Sequence, residues 1–152
     1  MNLPLPPGVT IDRATARDLP DIFGLLKQHA LPVEGLAEHL ATALVARRDN
    51  RIIGSAAIEV YVGGGLLRSV AVDDAFRGQG LGPALTEAAF VAARNARVDT
   101  LYLLTTTAEQ YFPKLGFERI PRDHVPAAVR TSVEFTSACC ASATVMRKRL
   151  NA

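Results

Sequence analysis

Six consecutive residues, Arg77-Gly78-Gln79-Gly80-Leu81-Gly82, combine a guanidinium with three glycines. Glycine lets backbone N–H groups come close to an anion. Where a helix starts just after such a turn, its first N–H groups lack internal partners and its dipole adds positive charge. Arg77 adds a permanent cation. Such a segment can hold a phosphate or pyrophosphate; taken alone, it can also be a plain Gly-rich turn between strand and helix. A P-loop would close on Gly-Lys-Ser/Thr, whereas this loop has Gly80-Leu81-Gly82. A dinucleotide fingerprint needs an acidic residue ending the next strand, and here that strand ends in Thr105-Thr106-Thr107. A second chemical signal is Arg68, which interrupts the apolar run from Leu66 to Val72. A buried guanidinium needs an anionic partner.

These residues need a scaffold, and hydrophobic spacing supplies its outline. Residues 9–11 read as a short strand. Thr15 and Asp18 give a capping pattern for a helix carrying Leu19, Ile22, Phe23, Leu26 and Ala30 at helical spacing. Residues 35–41 read as a second short helix. Strands are predicted over 43–46, 51–61 and 66–72, with turns at 47–50 and 63–65. The third is nearly continuous in apolar residues, as in a strand covered on both faces. A long Ala-rich helix follows over 81–96, with Pro83 tolerated in its first turn. A strand over 99–105, a helix over 107–115 stopped by Gly116, a short strand over 117–120, a helix over 127–135 and a closing strand over 143–150 complete the chain. The order is mixed α/β: a sheet built from hairpins, then a strand–helix–strand crossover. No internal repeat or low-complexity linker divides it, so 1–152 reads as one domain. Pro4, Pro6 and Pro7 suggest a loose N-terminal arm.

Composition narrows the function class. The 152 residues are 49% hydrophobic and 21% charged, which is ordinary for a globular domain. Seventeen basic and fifteen acidic residues leave a net charge of +2, too balanced for a protein that neutralises many phosphates of a nucleic acid. No apolar run reaches the roughly 18 residues of a membrane span. The start of the chain lacks a basic segment followed by a long apolar stretch, so the cytoplasm is the expected address. Cys139 and Cys140 are adjacent and read as reduced, structural thiols. His29, His39 and His124 have no metal-ligand spacing, so no metal is expected.

Arg77-x-x-Gly80-x-Gly82, following Leu66-Leu67-Arg68-Ser69-Val70-Ala71-Val72, resembles the acetyl-CoA motif of the GNAT acetyltransferases. Tyr111-Phe112-Pro113-Lys114-Leu115-Gly116-Phe117 resembles the second signature of that family, a helix ending in Gly-Phe. The two fall in the expected order and separation, and the predicted elements match the family from Val9 to about Ile120. The resemblance implies the GNAT fold, a central mixed sheet of six to seven strands flanked by helices. The run Leu101 to Ala108, with Tyr111-Phe112, Gly116-Phe117 and Val125 to Arg130, is similar to the acetyltransferase domain of N-acetylglutamate synthases. Glu134-Phe135-Thr136-Ser137 with Cys139 and Ser142-Ala143 resembles the small acetyltransferases of arsenic-resistance operons, although Cys139-Cys140 stands where Cys-Pro is usual.

The resemblance implies acetyl-CoA as co-substrate, an amino acid or analogue as acceptor, and a homodimer. Val70, Ala71 and Val72 would line the pantetheine, with the Val70 N–H on the thioester carbonyl. Arg77, Gly78, Gln79, Gly80, Leu81 and Gly82 would hold the pyrophosphate. An amine would attack the thioester directly, which calls for a base and for an acid at the sulfur. The family's usual acid, a tyrosine four residues before the Gly-Phe glycine, is replaced by Phe112. Tyr111 is the candidate, though neighbours on a helix point about 100° apart. Glu59, in an otherwise apolar strand, is the candidate base, with a water chain or a solvent-facing Glu59 as alternatives. Arg68 is expected to bind the acceptor carboxylate; the alternative is an internal salt bridge with Glu59 or Glu134. Thr105, Thr106 and Thr107 would bind acceptor or sulfur, or cap the next element. The loop 31–35 would cover the acceptor. A catalytically silent acyl-CoA-binding module and an acetyltransferase for protein N-termini are the competing functions.

Overall fold

The computed structural model describes residues 5–136 and 142–150. Cys139, Cys140, Ser137 and Pro4 lie outside the described residues. Seven strands form one sheet: β1 (Val9–Arg13), β2 (Ala43–Arg48), β3 (Arg51–Tyr61), β4 (Gly64–Val72), β5 (Thr100–Thr105), β6 (Glu118–Arg119) and β7 (Thr144–Arg149). Their spatial order is β1-β2-β3-β4-β5-β7-β6. Every pairing is antiparallel except β4 with β5. The parallel pair needs a crossover, and α2 (Leu81–Asn95) supplies it. The mixed seven-stranded sheet flanked by helices is the architecture expected from the sequence.

Side chains alternate across each strand and so divide the core. Ile58 of β3 and Leu67 of β4 face α2, where Leu81, Leu85, Ala89 and Phe90 cover them. Ala57 and Ala71 face the other way, toward Ile22, Leu25 and Leu26 of α1 (Leu19–Gln28). Farther along that second face, Leu66, Tyr102 and Val145 pack against Val125 and Val129. The second face is thus covered by two separate pieces, α1 with its following loop and the segment 121–136. Arg68 and Glu59 sit on this face, between the two.

The capping pattern at Thr15 is present in altered form. The Asp18 carboxylate accepts the Thr15 N–H at 2.8 Å, and a single 3-10 turn, Ala16–Asp18, precedes α1. The expected helix over 107–115 shrinks to a 3-10 turn at Phe112–Leu115. The expected helix over 127–135 is broken at Ser132, whose ψ of 143° separates a 3-10 turn, Val129–Thr131, from a four-residue α3 (Val133–Thr136). The short helix near 35–41 is a 3-10 segment, Leu36–Thr42, kinked at His39.

Candidate active site

The parallel pair β4–β5 is registered at only two positions, Gly65 with Leu101 and Leu66 with Tyr102. Beyond these, β5 stays paired to β7 as far as Thr105. On its other side β4 stays paired to β3 as far as Val72. The two strands therefore part from Leu67 onward, and backbone groups of β4 on that side have no strand partner among the described residues. The cause is a bulge. Ser55 pairs with Ala71 and Ala57 with Arg68, so one extra residue of β4 is accommodated between them. Ser69 takes it up with φ of 60°, and the Ser55 hydroxyl donates to the Ser69 carbonyl at 2.7 Å. Val70, Ala71 and Val72 follow directly along the parted edge.

The Gly-rich segment lies where β4 hands over to α2. Gly78 and Gly80 adopt φ of 77° and 82°, which L side chains rarely take. Nothing lies within 4 Å of a Cβ placed on Gly78, so backbone conformation rather than crowding requires glycine there. Among the described residues, none of the amides of 78–82 has a backbone acceptor. Arg77 is exposed and pairs at its Nε with Asp74 at 3.0 Å. The structure thus joins a parted strand edge to unpartnered amides at a 15-residue helix's N-terminus and an exposed guanidinium paired to Asp74.

Tyr111 belongs to this end of the site. Its ring packs edge-on against Phe112, with centroids 5.1 Å apart, but Phe112 turns into the core. The Tyr111 hydroxyl turns to the first turn of α2, where a Cβ on Gly82 would come within 2.8 Å of it. That hydroxyl is buried and has no hydrogen-bond partner among the described residues. Burial pushes it above the usual phenol range, with the nearby Thr86 hydroxyl acting in the opposite sense. Thr86 itself donates to the Gly82 carbonyl at 2.8 Å. Thr105 accepts the Ala108 N–H at 2.9 Å, which is the capping alternative, while Thr106 and Thr107 are exposed.

The polar cluster on the opposite side of the bulge centres on Arg68, which is 3% exposed. Its Nη1 donates to Glu59 Oε2 at 2.9 Å and to the Glu34 carbonyl at 2.7 Å. Its Nη2 donates to the Pro32 carbonyl at 3.0 Å, and its Nε donates to the Ser69 hydroxyl at 3.0 Å. The second Nη2 hydrogen faces Glu134 Oε2 at 3.6 Å, an ion-pair contact rather than a hydrogen bond. Internal partners answer four of its donors, so the salt-bridge alternative describes its placement.

Glu59 does not face solvent, being 1% exposed, and both of its oxygens are engaged. The Tyr61 hydroxyl donates to its Oε1 at 2.5 Å, and His39 Nε2 lies 3.8 Å from the same oxygen. Burial alone would raise Glu59, but hydrogen bonds from Ser132, Tyr61 and Arg68 together hold it below the ordinary carboxyl value. A carboxylate held so is a poor proton acceptor. Burial and the Glu59 charge push Tyr61 up to about 12. Glu134 moves the other way from Glu59: burial raises it, and the Arg68 charge 3.6 Å away offsets this incompletely. Tyr61, Ser132 and His39 were not singled out from the sequence. The alternation of Glu59 and Tyr61 on one face of a strand is the signal that could have paired them.

Comparison with known proteins bears on this arrangement. Residues 39–119 match the family model described as the acetyltransferase (GNAT) domain. An uncharacterized N-acetyltransferase of Chlorobaculum tepidum is 31% identical over 98 residues, 64% of this chain and 63% of its own length. N-acetylglutamate synthase from Neisseria gonorrhoeae, solved with coenzyme A and N-acetyl-glutamate, superposes with a TM-score of 0.80 at 22% identity. That match covers 93% of this chain but only 35% of the synthase. The ribosomal-protein-S18-alanine N-acetyltransferase of Escherichia coli superposes with a TM-score of 0.71 at 21% identity, covering 93% of this chain and 94% of that one. The chain thus spans less than two thirds of the curated relative and about a third of the synthase.

Proposed function

The chain belongs to the GNAT acetyltransferase family, and on that premise we propose that it transfers the acetyl group of acetyl-CoA to the amine of a small amino acid or amino-acid analogue. One observation carries the reading: the strand edge parted by the Ser69 bulge runs into the unpartnered amides of 78–82. An extended amide-bearing chain ending in a pyrophosphate fits such a track. Acetyl-CoA supplies a thioester whose acyl carbon accepts the amine. The amides of 78–82 and Arg77 bind the pyrophosphate, and the edge of Val70 to Val72 pairs with the pantetheine amides. The Val70 N–H is assigned to the acyl oxygen, where it stabilises the charge that develops on attack. The new N–C bond forms as the C–S bond breaks. Tyr111 is the candidate donor to the departing thiolate, because its hydroxyl lies at the first turn of α2. With Glu59 tied to Arg68 and Tyr61, the ammonium proton is assigned to water.

The N-acetylglutamate synthase neighbour, solved with coenzyme A and N-acetyl-glutamate, supports an amino-acid acceptor. Phe112 in the usual acid position and the occupied Glu59 favour a second reading, a silent acyl-CoA-binding module. Thiol release from acetyl-CoA across free amino acids separates the two. The panel includes glutamate, aspartate and their phosphinic and arsenic analogues, with coenzyme A binding followed by calorimetry. Amine-dependent release is the expected result. Binding without release on any acceptor supports the silent module, and absence of both removes the cofactor assignment.

A further inference from the structure

We infer that the Glu134 carboxylate occupies the place that the acceptor's own carboxylate takes on Arg68. The inference rests on the amino-acid reading above and adds how that amino acid is recognised. Arg68 has four donors fixed by short hydrogen bonds to Glu59, Glu34, Pro32 and Ser69. The remaining donor is the only one facing its partner at a loose 3.6 Å, and that partner is Glu134. The two carboxylates around this guanidinium are not equivalent. Glu59 stands on β3, a strand paired on both sides, and its oxygens are held by Arg68 and Tyr61. Glu134 stands on the four-residue α3, whose start is braced by the Ser132 hydroxyl accepting the Glu134 N–H at 3.1 Å.

The pieces around Arg68 also close over it. Pro32 and Glu34 reach it from the loop after α1, and Gly35 of that loop meets Val133 of α3 so closely that a Cβ would lie 2.8 Å from Val133 Cγ1. A ligand carboxylate reaching the fifth donor must therefore move α3 and take the position of Glu134. It would find a charged hydrogen-bond donor already aimed and desolvated, a strong contact for an anion. Burial keeps Glu134 above the ordinary carboxyl value, consistent with a weakly held internal anion. An acceptor lacking a carboxylate gains nothing from the exchange, so the device selects amines that carry one. Glu134 acts here as an internal competitor for the fifth donor, which the other four hydrogen bonds hold in place, and it does not touch the reacting atoms.

Two experiments test this. Glu134→Ala removes the atoms of one acetate ion, so acetate should refill the gap. The expected result is a melting temperature for Glu134→Ala that rises by about 3 °C in 100 mM acetate relative to chloride or acetamide, with no rise for the parent. An equal response of parent and variant, or none in the variant, overturns the proposal, and this readout needs no turnover. The second uses Glu134→Gln and the amine ranked first by thiol release, supplied as free acid and as carboxamide. Removal of the internal competitor should lower KM for the acid severalfold relative to the amide. A purely structural Glu134 would move both by the same factor, which also overturns the proposal. Absence of turnover in the parent with the acetate effect intact would count against the acetyl-transfer reading alone.

Discussion

A guanidinium buried between two carboxylates stabilises only what it neutralises. Arg68→Met removes the charge but keeps much of the volume, leaving Glu59 and Glu134 buried without a cation. Breaking one side of a buried ion pair costs about 3–5 kcal/mol, and urea unfolding at pH 7 should show a loss of that size. In the variant both carboxyls would titrate above their unfolded value. The deficit should therefore shrink as pH falls and the acids neutralise, and a loss below about 1 kcal/mol at pH 7 would mean that solvent reaches the cluster. Asp18 offers the opposite sign. The hydrogen bond from Arg47 at 2.9 Å leads the causes that hold its carboxyl below the ordinary 3.8. A depressed folded value contributes stability that is complete above 3.8 and is lost as pH falls through the folded value. Asp18→Asn should cost about 1–3 kcal/mol at pH 7, and the gap to the parent should close in acid; a gap independent of pH would assign the effect to packing.

At the scale of elements, the first turn of α2 is where the Gly-rich segment and Tyr111 meet. A Cβ on Gly82 would press on the buried Tyr111 hydroxyl, whose ring is set edge-on against Phe112. Gly82→Ala should therefore destabilise by about 1–2 kcal/mol, as crowding in a packed site does. In a Tyr111→Phe background the same change should be neutral or stabilising, because alanine is the better helix former. Additive losses in that double-mutant cycle would place the strain elsewhere. The long elements were readable from sequence because each is a sustained apolar or Ala-rich run bounded by turn residues. β3 at Arg51–Tyr61 matches its predicted bounds, and α2 at Leu81–Asn95 differs only at its end. The region 107–115 misled for a local reason. Thr105 caps the Ala108 amide and Pro113 lacks an N–H, so the chain turns tightly instead of extending a helix. The break at Ser132 had a local signal that the helical spacing masked: serine is a preferred N-cap, and its hydroxyl accepts the Glu134 N–H at the start of α3. The turn from β4 into α2 was legible because closely spaced glycines mark a strand-to-helix turn, and Gly78 and Gly80 do take positive φ there. The Arg68 cluster was legible only as a charge needing a partner, because its partners come from three distant segments and no local pattern joins them.

For the whole molecule, the decisive feature is that one sheet is continuous at one end of β4 and open at the other. The two β4–β5 registers at Gly65 and Leu66 close the bottom, and the β1–β2–β3 hairpins hold β4 from behind. Pantetheine lying in the opening would complete the sheet, because its amides substitute for the missing strand neighbour. Hydrogen exchange can read this directly, since an amide without a partner exchanges freely and a paired one does not. Coenzyme A should slow exchange in peptides covering Val70 to Val72 and the amides of 78–82. Peptides from β1 and β2, which lie on the far side of β3, should not respond. Protection confined to 78–82 would mean that the pyrophosphate is held while the strand edge plays no part, and the Val70 assignment would fall. Protection spread evenly over all seven strands would indicate general stiffening on binding, and the parted edge would then be a feature of the fold rather than the track of the ligand.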